Sequence, residues 1–274
     1  MFKNNLKIAL RSLFKQKVYT FINVLGLAVG IASCLLIVLF IRNEFSYDKF
    51  FKDQDRIYRM VLERKYPTHS TFYSIVPHSF ERVAKEDFSE IEQSTNVFGQ
   101  TKFSISYKND QDEVKQFDED FVLLTDSTFL KMFSFEFLKG DQTTSLSLAN
   151  SIVITKETAS RYFGDVDPLG KTLTTGAGDF RVTGICEDVP PNSHFKFSAL
   201  LSSSTFPFIK QENFTGFSSY TYFKLNPGSD ADALQAKFPK MVEHMRPPKS
   251  KEIWGNPGLI IKKKETDIAI FFNL

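Results

Sequence analysis

The feature that most constrains this chain is an unbroken run of 24 uncharged residues, from Val18 to Ile41. Each residue of an α-helix adds about 1.5 Å, so a helix over this run would measure about 36 Å. The hydrocarbon core of a bilayer is about 30 Å thick, and a helix of that length can cross it with some tilt. The sequence therefore predicts one membrane-spanning helix over residues 18–41.

The charges on either side of the run predict its orientation. The residues before it include five basic side chains and no acidic one, namely Lys3, Lys7, Arg11, Lys15 and Lys17. Charges of both signs follow the run, and a basic excess marks the cytoplasmic side. Without these five residues, 29 Lys and Arg oppose 32 Asp and Glu, a net charge of −3. The basic residues thus predict a cytoplasmic N-terminus, and they give no support to nucleic-acid binding.

Two kinds of processing could in principle remove the run. A cleaved signal peptide has an apolar region of about 7 to 15 residues, which is shorter than this one. Residues 31–34 (Ile-Ala-Ser-Cys) resemble a lipoprotein signal that would leave a lipidated Cys34. However, the apolar run continues to Ile41, where a lipoprotein would turn polar. The sequence therefore favours an uncleaved span that contains Cys34 as a small apolar residue.

Residues 1–17 predict an amphipathic helix in the cytoplasmic interface. Phe2, Leu6 and Leu10 recur at helical spacing, whereas Lys3 and Lys7 lie on another face. A basic amphipathic helix beside a span is typical of a segment that lies in the membrane surface. The alternative is a frayed, charged N-terminus.

One face of the predicted span carries small and polar residues. Their spacing of 3, 4 and 3 places them on one side of a helix, and they are Asn23, Gly26, Gly30 and Ser33. Small residues allow a second helix to approach closely, and an asparagine in lipid seeks a hydrogen-bonding partner. The pattern predicts helix–helix packing, although glycine is also common in membrane helices for other reasons.

Residues 42–274 predict an α+β domain outside the membrane, which could contain two subdomains. The predicted helices are 74–86, 128–133, 156–163 and 230–245. The predicted strands are 56–64, 91–98, 102–107, 114–117, 121–124, 135–138, 151–155, 172–174, 179–186, 195–201, 219–225 and 259–263. Cys186 is the only cysteine outside the span, so the domain must rely on a hydrophobic core, to which the chain's 30 phenylalanines can contribute. Burial of Cys186 itself is expected.

Motifs for catalysis, cofactors and metals are weak. Residues 164–172 (GDVDPLGKT) approach a P-loop, but five residues separate the first glycine from Gly170-Lys171, and Asp165 and Asp167 would repel a phosphate. A turn between a helix and a strand is the better interpretation. None of the four histidines has metal-ligand spacing, so they are interpreted as surface or turn residues. The sequence predicts no catalytic, cofactor-binding or metal-binding residue, and no cofactor.

Several segments, in order, carry a family resemblance. They are residues 7–13 (KIALRSL), 19–31 (YTFINVLGLAVGI), 44–48 (EFSYD), 129–140 (FLKMFSFEFLKG), 151–170 (SIVITKETASRYFGDVDPLG) and 182–197 (VTGICEDVPPNSHFKF). Together they resemble the MacB/FtsX-type ABC transporter permeases, especially those of Bacteroidetes. The resemblance covers nearly the whole chain. It implies a MacB-like periplasmic core domain at residues 42–274, anchored in the bacterial inner membrane.

The resemblance also implies partners and a function. ATP would be hydrolysed by a separate cytoplasmic ABC ATPase, and the span would pack against further permease helices or a second permease copy. Such permeases continue into an FtsX-like region, whereas this chain stops at Leu274, so we expect a C-terminally truncated component. The expected function is non-catalytic coupling of ATP hydrolysis to export or to mechanotransmission across the envelope. The alternative is a stand-alone, membrane-anchored binding or interaction module, and a membrane-anchored hydrolase would need a catalytic constellation that the sequence does not offer.

Overall fold

The computed structural model describes residues 11, 14–65, 68–245 and 256–263, and it divides the chain into two units, Met1–Tyr47 and Asp48–Leu274. Helix α1 (Lys17–Glu44) has 28 residues, none of them buried. Among the described residues it is the one helix long and apolar enough to cross a membrane. The predicted helix is therefore confirmed, and it extends to Glu44. The predicted interfacial helix lies largely outside the described residues.

The second unit mixes helices and strands, which confirms the α+β class. Its described strands are β1 (Ile57–Lys65), β2 (Ser70–Tyr73), β3 (Ile91–Lys108), β4 (Val114–Thr125), β5 (Phe137–Gly140), β6 (Ser151–Thr155), β7 (Thr172–Thr175), β8 (Gly178–Cys186), β9 (Ala199–Ser202), β10 (Ser219–Leu225) and β11 (Asn256–Lys263). Its described helices are α2 (Ser79–Asp87), α3 (Ser127–Phe133), α4 (Lys156–Phe163), α5 (Pro207–Lys210), α6 (Ala231–Gln235) and α7 (Phe238–Met245).

All eleven described strands belong to one sheet. Its main path is β11-β1-β10-β3-β4-β9-β6-β8-β5, and β2 pairs with β1. The pairs β4–β9 and β6–β8 are parallel, whereas the other pairs are antiparallel. Strand β7 pairs with both β3 and β8. This double pairing closes a hydrogen-bonded ring of six strands, in the order β3-β4-β9-β6-β8-β7.

Three apolar clusters form the core. Inside the ring, Ile105, Leu173 and Phe180 are fully buried with Tyr162 of α4. A second cluster, the aromatic cluster under α3, contains seven buried aromatic side chains, and a third cluster lies against α2 and α7. Thirteen of the described phenylalanines are buried, and each fully buried one stabilises the fold by about 1.5–3 kcal/mol relative to an exposed one. Cys186 is buried as expected, and burial raises the pKa of its thiol to about 12.

Two predicted pairs of strands are each a single strand. Polar residues near 99–101 and 118–120 interrupt the apolar pattern, which led to separate predictions for 91–98 and 102–107, and for 114–117 and 121–124. In the structure the backbone of β3 stays paired with β4 through register shifts between Phe98 and Phe103. Lys102 contacts Asp118 and Asp120 across the two strands. Backbone pairing with a β-bulge therefore bridges the interruption.

Several further boundaries differ from the predictions, including those of β5 and β11. Helix α2 begins at Ser79 rather than at 74, because Val76 bridges Ser219 and Pro77 favours an extended residue before it. The predicted helix 230–245 is two helices, and Pro239 lies in the first turn of the second, where its missing N–H is tolerated. Strand β9 begins at Ala199 rather than at 195.

Gly140 at the end of β5 offers a test of this packing. Its φ of +88° disfavours any other residue, and an added Cβ would lie 2.4 Å from the Thr183 carbonyl oxygen. We expect Gly140→Ala to lower the free energy of unfolding by at least about 2 kcal/mol, measured on the full chain by urea titration and circular dichroism.

Gly228→Ala is the matched control for this substitution. Gly228 has a similar φ of +79°, but an added Cβ would meet nothing within 4 Å. Equal losses in the two variants would show that backbone conformation, rather than the contact with Thr183, explains the effect.

Candidate functional site

The four predicted site residues lie on one exposed face of α1. At about 100° per residue, Asn23, Gly26, Gly30 and Ser33 fall within an arc of about 80°. A Cβ added at Gly26 or Gly30 would meet nothing within 4 Å. The Ser33 hydroxyl donates to the Val29 carbonyl at 2.9 Å, so its hydrogen bond is made within the helix. The face is open to a neighbouring helix, and its role in packing stays a prediction.

A second candidate site lies where the domain begins. Asp48 is the first residue of the domain unit, is 8% exposed and has a left-handed backbone conformation with φ of +59°. Its backbone N–H donates to the Asn192 carbonyl at 2.9 Å. We call Asp48, Ser193, His194 and Tyr222 the junction anchor.

The Asp48 carboxylate accepts several hydrogen bonds in the anchor. His194 donates from its backbone N–H at 3.1 Å, and its Nδ1 lies 2.9 Å from Asp48 Oδ2. Ser193 Oγ donates at 3.3 Å. Because Nδ1 faces a carboxylate, we assign the ring proton to Nδ1. In the neutral ring Nε2 then accepts from the Tyr222 hydroxyl at 3.1 Å.

The anchor is embedded in the aromatic cluster under α3. The His194 ring centroid lies 3.7 Å from that of Phe195 and 6.4 Å from that of Phe133. Tyr222 is 2% exposed and belongs to β10, a central strand of the sheet. The first residue of the domain is thus tied through one imidazole to the middle of the sheet.

Two of the four histidines lie at turns, as interpreted, but their rings also make hydrogen bonds within the domain. His194 lies in the anchor, and His78 is 6% exposed, with Nδ1 3.0 Å from Ser218 Oγ and Nε2 2.9 Å from the Gln211 carbonyl. Asp48 and His194 are 146 residues apart in the chain. Local spacing carries no signal for such a pair, so the sequence could not have indicated it.

A cavity of about 390 Å³ opens where the parallel strands β4 and β9 separate. One wall is residues 118–121 of β4 and the opposite wall is residues 196–198, which precede β9. The start of α4 and the loop 188–191 complete the lining. We call this cavity the fork cleft.

The lining of the fork cleft contains an ion pair between partly exposed Arg161 and buried Glu119. Arg161 Nη2 lies 2.8 and 2.9 Å from the two oxygens of Glu119, whose side chain is 4% exposed. The Tyr162 hydroxyl donates to Glu119 at 3.0 Å. Burial and the nearby Glu119 carboxylate raise the pKa of Tyr162, which therefore keeps its proton.

Residues 164–172 form a turn between α4 and β7, as predicted. Gly164 and Gly170 both have positive φ, and Asp167 accepts a hydrogen bond from the Leu169 N–H at 3.1 Å. Lys139 lies 3.1 Å from Asp167. That backbone hydrogen bond and Lys139 lower the pKa of Asp167, so the turn presents a carboxylate where a P-loop would need an anion-binding backbone.

Comparison with known families identifies one match. The family model described as the MacB-like periplasmic core domain matches residues 20–241. No curated protein matches the chain.

Three solved structures share the fold. A domain assigned to a permease protein from Porphyromonas gingivalis is 20% identical over 78% of this chain and 92% of its own, with a TM-score of 0.69. The periplasmic region of MacB from Actinobacillus actinomycetemcomitans is 13% identical over 79% and 93%, with a TM-score of 0.51. The extracellular domain of the noncanonic ABC-type transporter YknZ from Gram-positive bacteria is 10% identical over 75% and 99%, with a TM-score of 0.52.

Proposed function

The chain belongs to the family of MacB-like periplasmic core domains, and on that basis we propose that it couples ATP hydrolysis by a separate ATPase to export or mechanotransmission. Family membership supports a role as a non-catalytic component of an ABC-type permease. In this proposal residues 1–17 lie in the cytoplasm, 18–41 span the inner membrane, and 42–274 form the periplasmic domain.

The observation that carries the proposal is the junction anchor. Movement of α1 reaches the domain through the chain at Asp48, which is buried and hydrogen-bonded to His194. His194 in turn contacts Tyr222 of the central strand β10. In this proposal, movement of the span is delivered to the domain at its first residue, which the anchor holds against the sheet.

The partners follow from the exposed face of α1. One helix cannot enclose a path through a membrane, so transport requires further permease helices or a second permease copy. We propose that these pack against the face formed by Asn23, Gly26, Gly30 and Ser33, where no side chain obstructs a close approach at either glycine. A cytoplasmic ABC ATPase then supplies the energy.

The proposal is tested by isolating the affinity-tagged full chain from its native membranes in a mild detergent. We expect an ABC ATPase and additional permease helices to be recovered with it, and a tagged single-span protein of unrelated sequence to recover neither. Recovery of the chain alone, at the mass of a monomer, would contradict the proposal and favour a stand-alone interaction module.

A further inference from the structure

In the part of the chain that the structure describes, no strand pairs with one edge of β4 beside the fork cleft, at residues 118–120. On that side, β4 pairs with β9 only from Val122 to Thr125. Just before this, Phe121 accepts a backbone hydrogen bond from Ser198. Among the described residues, no strand pairs with the same edge over 114–120. A strand edge offers N–H and C=O groups at the spacing of another extended chain.

The cleft beside this edge has the size of a binding site, and its lining is partly apolar and partly polar. Its volume of about 390 Å³ lies within the range of about 300–1,000 Å³ that is usual for ligand pockets. Phe121 is 42% exposed in its lining, and Val189, Pro190 and Phe197 contribute further apolar surface. Alternate side chains of an extended segment could pack here while its backbone pairs with β4.

The charged side chains of the cleft indicate which net charge a bound extended segment should carry. Arg161 neutralises Glu119, and Lys102 contacts Asp118 and Asp120. The remaining charged side chains of the lining are Glu157, Asp188 and Lys196. The balance is acidic, so it would repel a second copy of the same edge and attract a basic segment.

From these observations we propose that the fork cleft binds an extended, basic polypeptide segment of a partner protein, which adds to β4 as a further strand. Main-chain hydrogen bonds to the β4 edge supply affinity. A basic side chain beside Glu157 and Asp188, together with an apolar side chain against Phe121, supplies selectivity. The site is independent of coupling to an ATPase, because it is complete within this domain.

The test uses the full chain in a nanodisc of zwitterionic lipid and a fluorescent eight-residue peptide of alternating lysine and valine as the probe. Anisotropy is recorded at low salt. We expect saturable binding, at least tenfold weaker binding when the lysines are replaced by glutamates, and at least tenfold weaker binding when alternate backbone nitrogens are methylated. Methylation keeps the charge but removes strand hydrogen bonds, so equal affinity of the methylated peptide would overturn strand addition.

A matched pair of charge reversals locates the site. Glu157 is exposed in the first turn of α4 and lines the cleft. Asp232 is exposed in the first turn of α6, and α6 packs near β11 at the other end of the sheet. We expect Glu157→Lys to weaken binding about tenfold and Asp232→Lys to change it less than twofold. Equal effects of the two variants, or no binding of the unmodified peptide, would overturn the proposal.

Discussion

Replacing Asp48 by alanine is expected to lower the free energy of unfolding of the full chain by about 3 kcal/mol. The substitution removes the carboxylate that accepts from Ser193 and from the backbone and ring of His194, and it leaves these donors partly buried. Urea titration monitored by circular dichroism measures the change. Tyr222→Phe removes only the far hydrogen bond of the anchor and should cost about 1 kcal/mol.

Asp112→Ala is the matched control for Asp48→Ala. Asp112 also has a left-handed backbone, with φ of +65°, but it is exposed in the turn between β3 and β4. Both substitutions therefore place alanine in a left-handed backbone conformation at a similar cost in free energy. Only Asp48→Ala also removes hydrogen bonds of the anchor. A loss in Asp112→Ala as large as that in Asp48→Ala would show that the anchor does not stabilise the domain.

Hydrogen exchange distinguishes a local release of the anchor from general unfolding. In Asp48→Ala we expect the slowest amides of the ring strands β6 and β8 to follow the change in the free energy of unfolding, up to about 100-fold for a loss of about 3 kcal/mol. At 192–195 we expect a larger acceleration, because this segment also opens locally when its contact with Asp48 is lost. This pattern would fit a domain whose first residue transmits movement from α1. Uniformly faster exchange across the domain would instead indicate a purely structural role.

Replacing both Gly26 and Gly30 by leucine is expected to remove most of the partner helices that are recovered with the chain from native membranes. Leucine side chains would hold a neighbouring helix away from the backbone of α1, and a loss of at least tenfold corresponds to about 1.4 kcal/mol of packing. Helix α1 itself should persist, because an added Cβ at either glycine meets nothing within 4 Å. Quantitative mass spectrometry of the purified complex gives the ratio of partner to chain.

The double substitution Ala28→Leu and Ala32→Leu is the matched control. These alanines are also four residues apart in α1, but they lie on the opposite face of the helix. The control adds similar bulk to the span and should retain the partners. Equal recovery of partner helices with the two double variants would contradict the proposal that the face with Asn23 packs against another helix.

Much of the fold could be predicted because its signals are local. The apolar run indicated α1, Cys186 was expected to be buried, and residues 164–172 were expected to form a turn, and each expectation matches the structure. Errors arose where tertiary pairing overrode a local pattern. The backbone of β3 continues through polar residues because β4 lies beside it, and α2 starts late because Val76 pairs with Ser219.

The candidate sites divide in the same way. The face of α1 follows from helical periodicity alone, because residues three or four apart on a helix share a side. The junction anchor and the fork cleft have no such periodicity. Asp48 meets His194, and Glu119 meets Arg161, only because the sheet brings distant segments together.

By itself, the sequence determined that one helix can cross a membrane, that an α+β domain follows it, and which family the chain resembles. These properties depend on the length of apolar runs, on the charges beside them and on short-range residue patterns. Each of these can be identified within a single segment of the sequence. Only the tertiary structure decided that β7 closes a ring of six strands, that one edge of β4 has no partner among the described strands, and that the first residue of the domain is linked to β10 through His194. The physical reason is that backbone pairing and buried hydrogen bonds join residues far apart in the chain, and their partners are chosen by the packing of the whole domain.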